Sequence, residues 1–116
     1  MREVKSFTID RKKWLHGEDD SALIRTSDGK MCCLGIYLSA CKVPKKKLEN
    51  VQTPYGVEDT VPYWTKEMTI YQYNDIIVID LMQNNDSRYL PDDTREDLIK
   101  GGFKKAGINV RFKGSY

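Results

Sequence analysis

Hydrophobic and polar residues alternate near both ends of the chain, as they do in half-buried strands. Residues 4–9 alternate in part and are rich in β-branched side chains, and residues 108–112 alternate throughout. This period of two predicts a strand at each end of the chain. Two shorter runs, residues 22–26 and 30–32, flank an Asp-Gly turn at 27–29 and are predicted to form a pair of strands.

Helical spacing first appears after this turn. Leu34, Tyr37, Leu38 and Cys41 recur at positions i, i+3, i+4 and i+7. Since these positions fall on one face of a helix, the spacing predicts a buried helix over residues 32–41.

The strongest helix signal begins at residue 92. Acidic residues lie at the start of this segment and lysines at its end, and Gly107 suits the C′ position that follows a helix. Glu96 lies three residues after Asp93, a spacing that predicts a capping box at the helix start. Residues 76–82 fit a buried strand or a helix, and an Asn or Asp cap before them favours the helix.

The order of these elements predicts the fold class. Asp10 suits the N-cap of a short helix over residues 11–15, which follows the first strand. The chain then reads as two strands, a helix, a long loop, two helices and a strand. This order predicts one small α+β domain over residues 1–116, with a mostly antiparallel sheet and helices packed on it. The terminal strands are expected to lie together in that sheet.

Residues 50–73 form the long loop, in which prolines, a glycine and aromatic rings interrupt every period. A long ordered loop is often functional. We expect this loop to pack through its rings and to offer part of a contact surface. The candidate residues for that surface, in the loop and elsewhere, are Trp14, Arg25, Tyr55, Tyr63, Trp64 and Lys66.

Composition and charge narrow the class of partner. The chain has 116 residues, of which 40% are hydrophobic and 31% charged, and this balance is typical of a globular protein. Its formal net charge of +2 argues against nucleic acid as the main partner, although basic runs occur at 11–13 and 45–47. Because no apolar run is long enough to cross a membrane and the N-terminus lacks the apolar core of a secretion signal, we expect a cytoplasmic location.

Three cysteines and one histidine raise two chemical possibilities. A structural zinc site needs four ligands in spaced pairs, and the adjacent Cys32 and Cys33 point in different directions, so we expect no metal and no other cofactor. A thiol at a helix start would have a lowered pKa, and His16 could serve as its general base. We expect core packing for these two thiols and for Cys41, because cysteine is among the most buried residue types.

A nucleotide-type ligand is the remaining small-molecule possibility. The chain has no glycine-rich phosphate loop. The six candidate contact residues could still stack a base and hold a phosphate. Packing of the core and of the loop is the simpler explanation for their rings.

Motifs near both ends of the chain carry a family resemblance. The first part reads Arg-x-x-Trp-Leu-x-Gly over residues 11–17 and Cys-Cys-Leu-Gly over 32–35. The second part reads Asn-Asp at 85–86, Arg-Glu at 95–96 and Gly-Ile-x-Val-x-Phe over 107–112. This set resembles a family of small uncharacterised phage and prophage proteins.

The resemblance covers both ends of the chain but not residues 50–73. Many members of that family have a third cysteine three residues after the glycine, where this chain has Leu38. The resemblance implies a phage or prophage origin and no particular reaction.

Three functional hypotheses follow from the sequence. The first is a non-enzymatic phage accessory protein that binds and inhibits a host protein, such as a component of antiviral defence, with residues 50–73 as its contact surface. The second is a sponge that sequesters a nucleotide-type immune signal. The third is a cysteine-dependent enzyme that uses Cys32 or Cys33 with His16.

Overall fold

The computed structural model describes residues 2–18, 21–57, 61–66 and 73–116, with the backbone alone at 63, 66 and 73–76. Single turns of 310 helix also occur, at Arg11–Lys13 and Pro54–Gly56. In chain order, the strands and helices are β1 (Ser6–Asp10), α1 (Cys33–Ala40), α2 (Lys45–Leu48), α3 (Tyr63–Lys66), α4 (Tyr73–Asp86), α5 (Asp92–Lys105) and β2 (Asn109–Lys113).

β1 and β2 form a parallel pair in which Phe7 lies opposite Val110. The prediction that the terminal strands lie together is confirmed. The predicted mostly antiparallel sheet is wrong, because within the described ranges the sheet consists of these two parallel strands. Alternation shows which residues face the core but not the direction of the partner strand. Here α5 ends beside the start of β1, where the Asn109 N–H donates to the Lys5 carbonyl oxygen (2.9 Å), so β2 begins at the same end as β1.

The predicted strand pair at 22–26 and 30–32 is also wrong. Two backbone hydrogen bonds do join the runs, from the Arg25 N–H to the Lys30 carbonyl oxygen (2.8 Å) and from the Cys32 N–H to the Ala22 carbonyl oxygen (3.2 Å), but neither run is a strand. The Leu23 N–H donates instead to the Val51 carbonyl oxygen (2.8 Å) and the Met31 N–H to the 310 turn after β1 (3.0 Å), and the isolated bridges of both runs are with those other segments.

The helix predicted over residues 32–41 is confirmed as α1. The Cys32 thiol occupies the N-cap position and accepts a hydrogen bond from the Gly35 N–H (3.5 Å). A Cβ atom on Gly35 would collide with the carbonyl oxygen of Leu23. Glycine therefore allows α1 to lie directly against the preceding chain, which explains why this position lacks a side chain.

The helical interpretation of residues 76–82 is confirmed by α4, which extends beyond that range in both directions. The helix predicted from residue 92 is confirmed as α5, with Gly107 at φ +80° after its end. Its capping box is wrong, because Pro91 is the N-cap and the Glu96 carboxylate bonds to Arg11 instead. The short helix predicted over 11–15 is only a 310 turn.

The hydrophobic core lies between the sheet, α1, α4 and α5. Four rings at its centre form what we term the inner ring cluster: Phe7, Tyr37, Trp64 and Phe103. Neighbouring ring centroids in this cluster are 4.9–6.1 Å apart, within the range favoured by aromatic pairs. In the described part of the chain, no helix is both long and apolar enough to span a membrane.

Candidate functional site around His16

Trp14 separates a buried polar network from a group of polar and aromatic side chains at the surface. The indole is buried, and its Nε1–H donates to Asn85 Oδ1 (2.8 Å). The His16 ring stacks on the indole, with centroids 4.1 Å apart and planes at 23°. The indole therefore lies beneath the outer group and supports its His16 ring.

In the inner group, which we term the Asn85 network, every polar atom of the Asn85 side chain is hydrogen-bonded. Asn85 Oδ1 accepts from Trp14 Nε1–H and from the Cys33 N–H (3.0 Å). Asn85 Nδ2 donates to the Leu15 carbonyl oxygen (2.9 Å) and to Asp86 Oδ1 (3.0 Å). Since Asn85 is completely buried, these bonds repay the cost of removing its amide from water. One side chain thus fixes α4, the start of α1 and the segment after β1.

Arg95 holds the other side of this network. Its Nη1–H groups donate to the carbonyl oxygens of Asn84 (2.8 Å) and Asn85 (3.1 Å), in the last turn of α4, where a cation is favoured. Its Nη2 donates to the Leu90 carbonyl oxygen (3.0 Å). Gly17, at φ +68°, donates its N–H to the Asn85 carbonyl oxygen (2.8 Å). Residues from the motifs at both ends of the chain therefore meet around Asn85.

The three cysteines belong to the interior. Cys32, Cys33 and Cys41 are buried and free, which confirms the prediction of core packing. Burial raises the pKa of the Cys32 thiol to about 11 and also raises that of Cys33, so burial outweighs the helix terminus. Within the described ranges, no three His, Cys, Asp or Glu side chains come together as metal ligands.

His16 is oriented by two contacts on the outer side of the indole. Its Nδ1 lies 2.9 Å from the Trp14 carbonyl oxygen, and since a carbonyl only accepts, Nδ1 carries a proton and donates. Its Nε2 faces Asp92 Oδ1 at 3.7 Å. The Tyr116 ring lies beside the imidazole, with centroids 5.4 Å apart.

Arg11, Glu96 and Tyr116 form a second set of contacts at this surface. Arg11 donates from Nε and Nη2 to the two Glu96 carboxylate oxygens, both at 2.8 Å, and the Tyr116 hydroxyl donates to Glu96 Oε2. The hydrogen bonds from Arg11 lower the pKa of Glu96. Burial, together with the bond to Glu96, raises the pKa of Tyr116 to about 12. The guanidinium also lies over the Tyr116 ring, 5.4 Å from its centroid.

Tyr89 supplies a highly exposed ring in the loop that leads into α5. It lies in the loop between α4 and α5, three residues before Asp92, and is 88% exposed, whereas Tyr116 is 55% exposed. We term Arg11, His16, Tyr89, Asp92 and Tyr116 the His16 surface. Among them, the sequence prediction considered His16 only as a base and missed the two tyrosines as surface residues. An aromatic residue inside the polar stretch 84–89 was the available signal for Tyr89.

The predicted contact residues whose side chains the structure describes do not converge on one surface. Trp14 is buried against Asn85, and Trp64 belongs to the inner ring cluster, where its Nε1–H donates to the Tyr37 hydroxyl (3.2 Å). Tyr55 is partly buried against the core. These rings hold the chain together, in line with the simpler explanation offered above.

Arg25 stabilises a turn. Its guanidinium pairs with Asp28 (2.6 Å) and Glu18 (3.2 Å), and the hydrogen bond from Arg25 lowers the pKa of Asp28 to about 2. Tyr63 and Lys66 lie on α3, but their side chains are outside the described residues, as are residues 58–60 and 67–72 of the predicted loop.

A surface cavity of about 270 Å³ lies next to this turn. Ile24 and Met31 supply apolar walls, and Lys45 and Glu49 supply one charge of each sign. A nucleotide needs more space and more positive charge than this cavity offers.

The His16 surface offers chemistry suited to recognition: two exposed rings, an arginine fork held by a carboxylate and an oriented imidazole. No protein-family model, curated protein or solved structure matches the chain.

Proposed function

We propose that this protein is a non-enzymatic phage accessory protein that binds a host protein through the His16 surface and inhibits it. A component of antiviral defence is the target class that we favour. The observation that carries the proposal is the exposure of two tyrosine rings: Tyr89 in the loop that leads into α5, and Tyr116, which bonds to Glu96 of α5. Tyrosine and arginine are enriched among the residues that dominate binding energy in protein interfaces.

The rigidity of the surface supports the same proposal. Glu96 holds both Arg11 and Tyr116, and the Trp14 indole supports the His16 ring. Side chains that are already fixed lose little conformational entropy when a partner binds. A partner could therefore use most of its contact energy for affinity.

The buried thiols weigh against the cysteine-enzyme hypothesis. A nucleophilic thiol must be accessible and must ionise near neutral pH, whereas Cys32 and Cys33 are buried and their pKa values are raised. The described contacts of His16 are with Trp14, Asp92 and Tyr116 rather than with a thiol.

The cavity beside residues 24–31 is poorly suited to a sponge for a nucleotide-type signal, because its one lysine stands with a glutamate and the neighbouring Arg25 already pairs with Asp28 and Glu18. We therefore expect no rise in melting temperature with a panel of cyclic nucleotides and ADP-ribose derivatives, because a ligand that bound the folded state would stabilise it by mass action. A clear rise would favour the sponge over the host-protein target.

The proposal is tested by affinity capture from host lysate with wild type and Tyr89→Ser. Wild type should recover a stoichiometric host protein, and Tyr89→Ser should weaken the purified complex by about 30-fold, as expected for a hot-spot tyrosine. Because Tyr89 is almost fully exposed, the substitution should change stability by less than about 0.5 kcal/mol.

The matched control is Arg111→Ser, an exposed position on β2 away from the His16 surface. It should retain the host protein and inhibition of that protein's activity. Failure of wild type to recover a stoichiometric partner, or equal loss with both variants, would contradict the proposal.

A further inference from the structure

A second surface of the molecule lies on α5, on the side away from the core-facing Ile99 and Phe103. Gly101 and Gly102 stand together in the middle of this helix, where glycine is less favourable than alanine. A Cβ on Gly102 would lie 2.7 Å from Leu81 Cδ2, so packing against α4 explains that glycine. A Cβ on Gly101 would meet nothing within 4 Å, so nothing described within this chain requires a glycine there.

The surroundings of Gly101 form a shallow groove between α4 and α5. The groove has a volume of about 180 Å³; Ile77 and Leu98 are its apolar lining, and Asp80 and Asn84 of α4 and Lys105 of α5 are its polar lining. Leu98 is 41% exposed, although it is a large apolar side chain in a helix. A missing side chain next to an exposed leucine is what close packing of another helix requires.

Charged side chains on the same ridge of α5 indicate which helix can pack into this groove. Asp97 lies four residues before Gly101 and Lys105 four residues after it, so the three share one i±4 ridge. Both charged side chains are exposed, and neither has an ion-pair partner in the part of the chain that the structure describes. The ridge thus has opposite charges at equal distances from its glycine.

We propose that a second copy of this chain docks here, with the two α5 helices crossing in antiparallel directions at Gly101. A twofold axis through the crossing places Asp97 of each copy opposite Lys105 of the other, so both ion pairs form together. The two glycines allow the backbones to approach, and the Leu98 side chains are covered. This dimer does not rest on the proposed host target, and it would present two His16 surfaces.

Charge reversal tests the pairing by sedimentation velocity at about 1–100 μM, the range in which weak protein dimers assemble. Wild type should dimerise. Asp97→Lys and Lys105→Asp should each weaken the dimer at least tenfold when alone, because each puts like charges opposite each other. An equimolar mixture of the two variants should form a heterodimer, since each ionic contact then again joins a lysine to an aspartate.

Two further variants complete the test: a control for the change of charge and a variant of the glycine. Lys113→Asp makes the same charge change as Lys105→Asp on β2 and should leave the dimer intact. Gly101→Ala should raise the melting temperature of the monomer yet weaken the dimer, a combination that a purely structural role of Gly101 would not produce. A wild type that stays monomeric to about 100 μM, a dimer that survives both reversals, or a mixture that fails to associate would each overturn the proposal.

Discussion

The Asn85 network bonds to the edge of the Trp14 indole and joins the segment after β1 to α4, whereas the His16 surface lies on the face of that indole and joins the same segment to α5. Both are built from hydrogen bonds between side chains that are distant in sequence. They differ in access to water. Asn85 is completely buried and uses all its donors and acceptors, whereas Tyr116 and Asp92 remain open to solvent.

Because of this difference in access to water, hydrogen bonds have one role in the interior and another at the surface. In the interior, loss of one partner leaves other polar groups without hydrogen bonds, so the network fixes the position of the chain. At the surface, water can replace a lost partner, and the remaining side chains can be offered to another molecule.

Asn85→Ala should have the largest effect on stability. It leaves the Trp14 Nε1–H, the Cys33 N–H and the Leu15 carbonyl oxygen without partners in the interior. We expect a loss of about 3–5 kcal/mol in the free energy of unfolding, measured by urea denaturation, from two or three unsatisfied buried groups.

The control for this variant is Asn84→Ala, one residue earlier on α4 and only partly buried. Since alanine is the better helix former, this change should leave stability within about 0.5 kcal/mol of wild type or slightly above it. Equal losses for the two variants would show that Asn85 has no special role.

Chemical modification of the thiols tests the burial of the interior around the Asn85 network without any mutation. Because burial protects all three cysteines and raises the pKa of Cys32 and Cys33, we expect a thiol-specific reagent to react with the native protein at least about 100-fold more slowly than with free cysteine. In denaturant, three thiols should react at once. A single rapidly reacting thiol in the native protein would revive the cysteine-enzyme hypothesis.

Glu96→Gln tests the hydrogen bonds at the His16 surface and should have the smallest effect on the free energy of unfolding. Glutamine can keep one of the bonds from Arg11 but loses the charge, and the pair is partly exposed. We expect a loss of about 1 kcal/mol or less by urea denaturation. A loss as large as that of Asn85→Ala would remove the distinction between the two regions.

The pH dependence of stability, in acid and in alkali, should report the same contacts of Glu96 with Arg11 and Tyr116. The pKa of Glu96 is lowered in the fold, so its contribution is present above its ordinary value of 4.5 and is lost as the pH falls through the lower folded value. The pKa of Tyr116 is raised from 10.0 to about 12, so its contribution is complete below pH 10 and is lost as the pH rises towards 12. Thermal melts should show a smaller acid loss in Glu96→Gln and a smaller alkaline loss in Tyr116→Phe.

Much of the secondary structure could be predicted because it depends on neighbouring residues. The i, i+3, i+4 spacing of α1, the lysines and Gly107 at the end of α5, and the alternation of β2 are local patterns. The sheet direction and the fate of residues 22–32 could not be predicted in this way. Both depend on which distant backbone groups accept their hydrogen bonds.

The candidate site was harder to predict than the fold. Aromatic rings in residues 50–73 suggested a contact surface, yet Trp64 packs in the inner ring cluster, while the exposed rings among the described side chains are Tyr89 and Tyr116. Residue type alone does not distinguish a core ring from a surface ring, because both bury large apolar area when they pack.

Local patterns in the sequence specify α1, α5, the two terminal strands and the burial of the cysteines, because periodicity, capping and side-chain polarity act over a few residues. Three features are set by the tertiary structure: Asn85 joins α4 to two other segments, Glu96 bonds to Arg11 rather than capping α5, and the strands run parallel. Those outcomes depend on groups up to about a hundred residues apart meeting in one place, and only the packed chain brings them within hydrogen-bond distance.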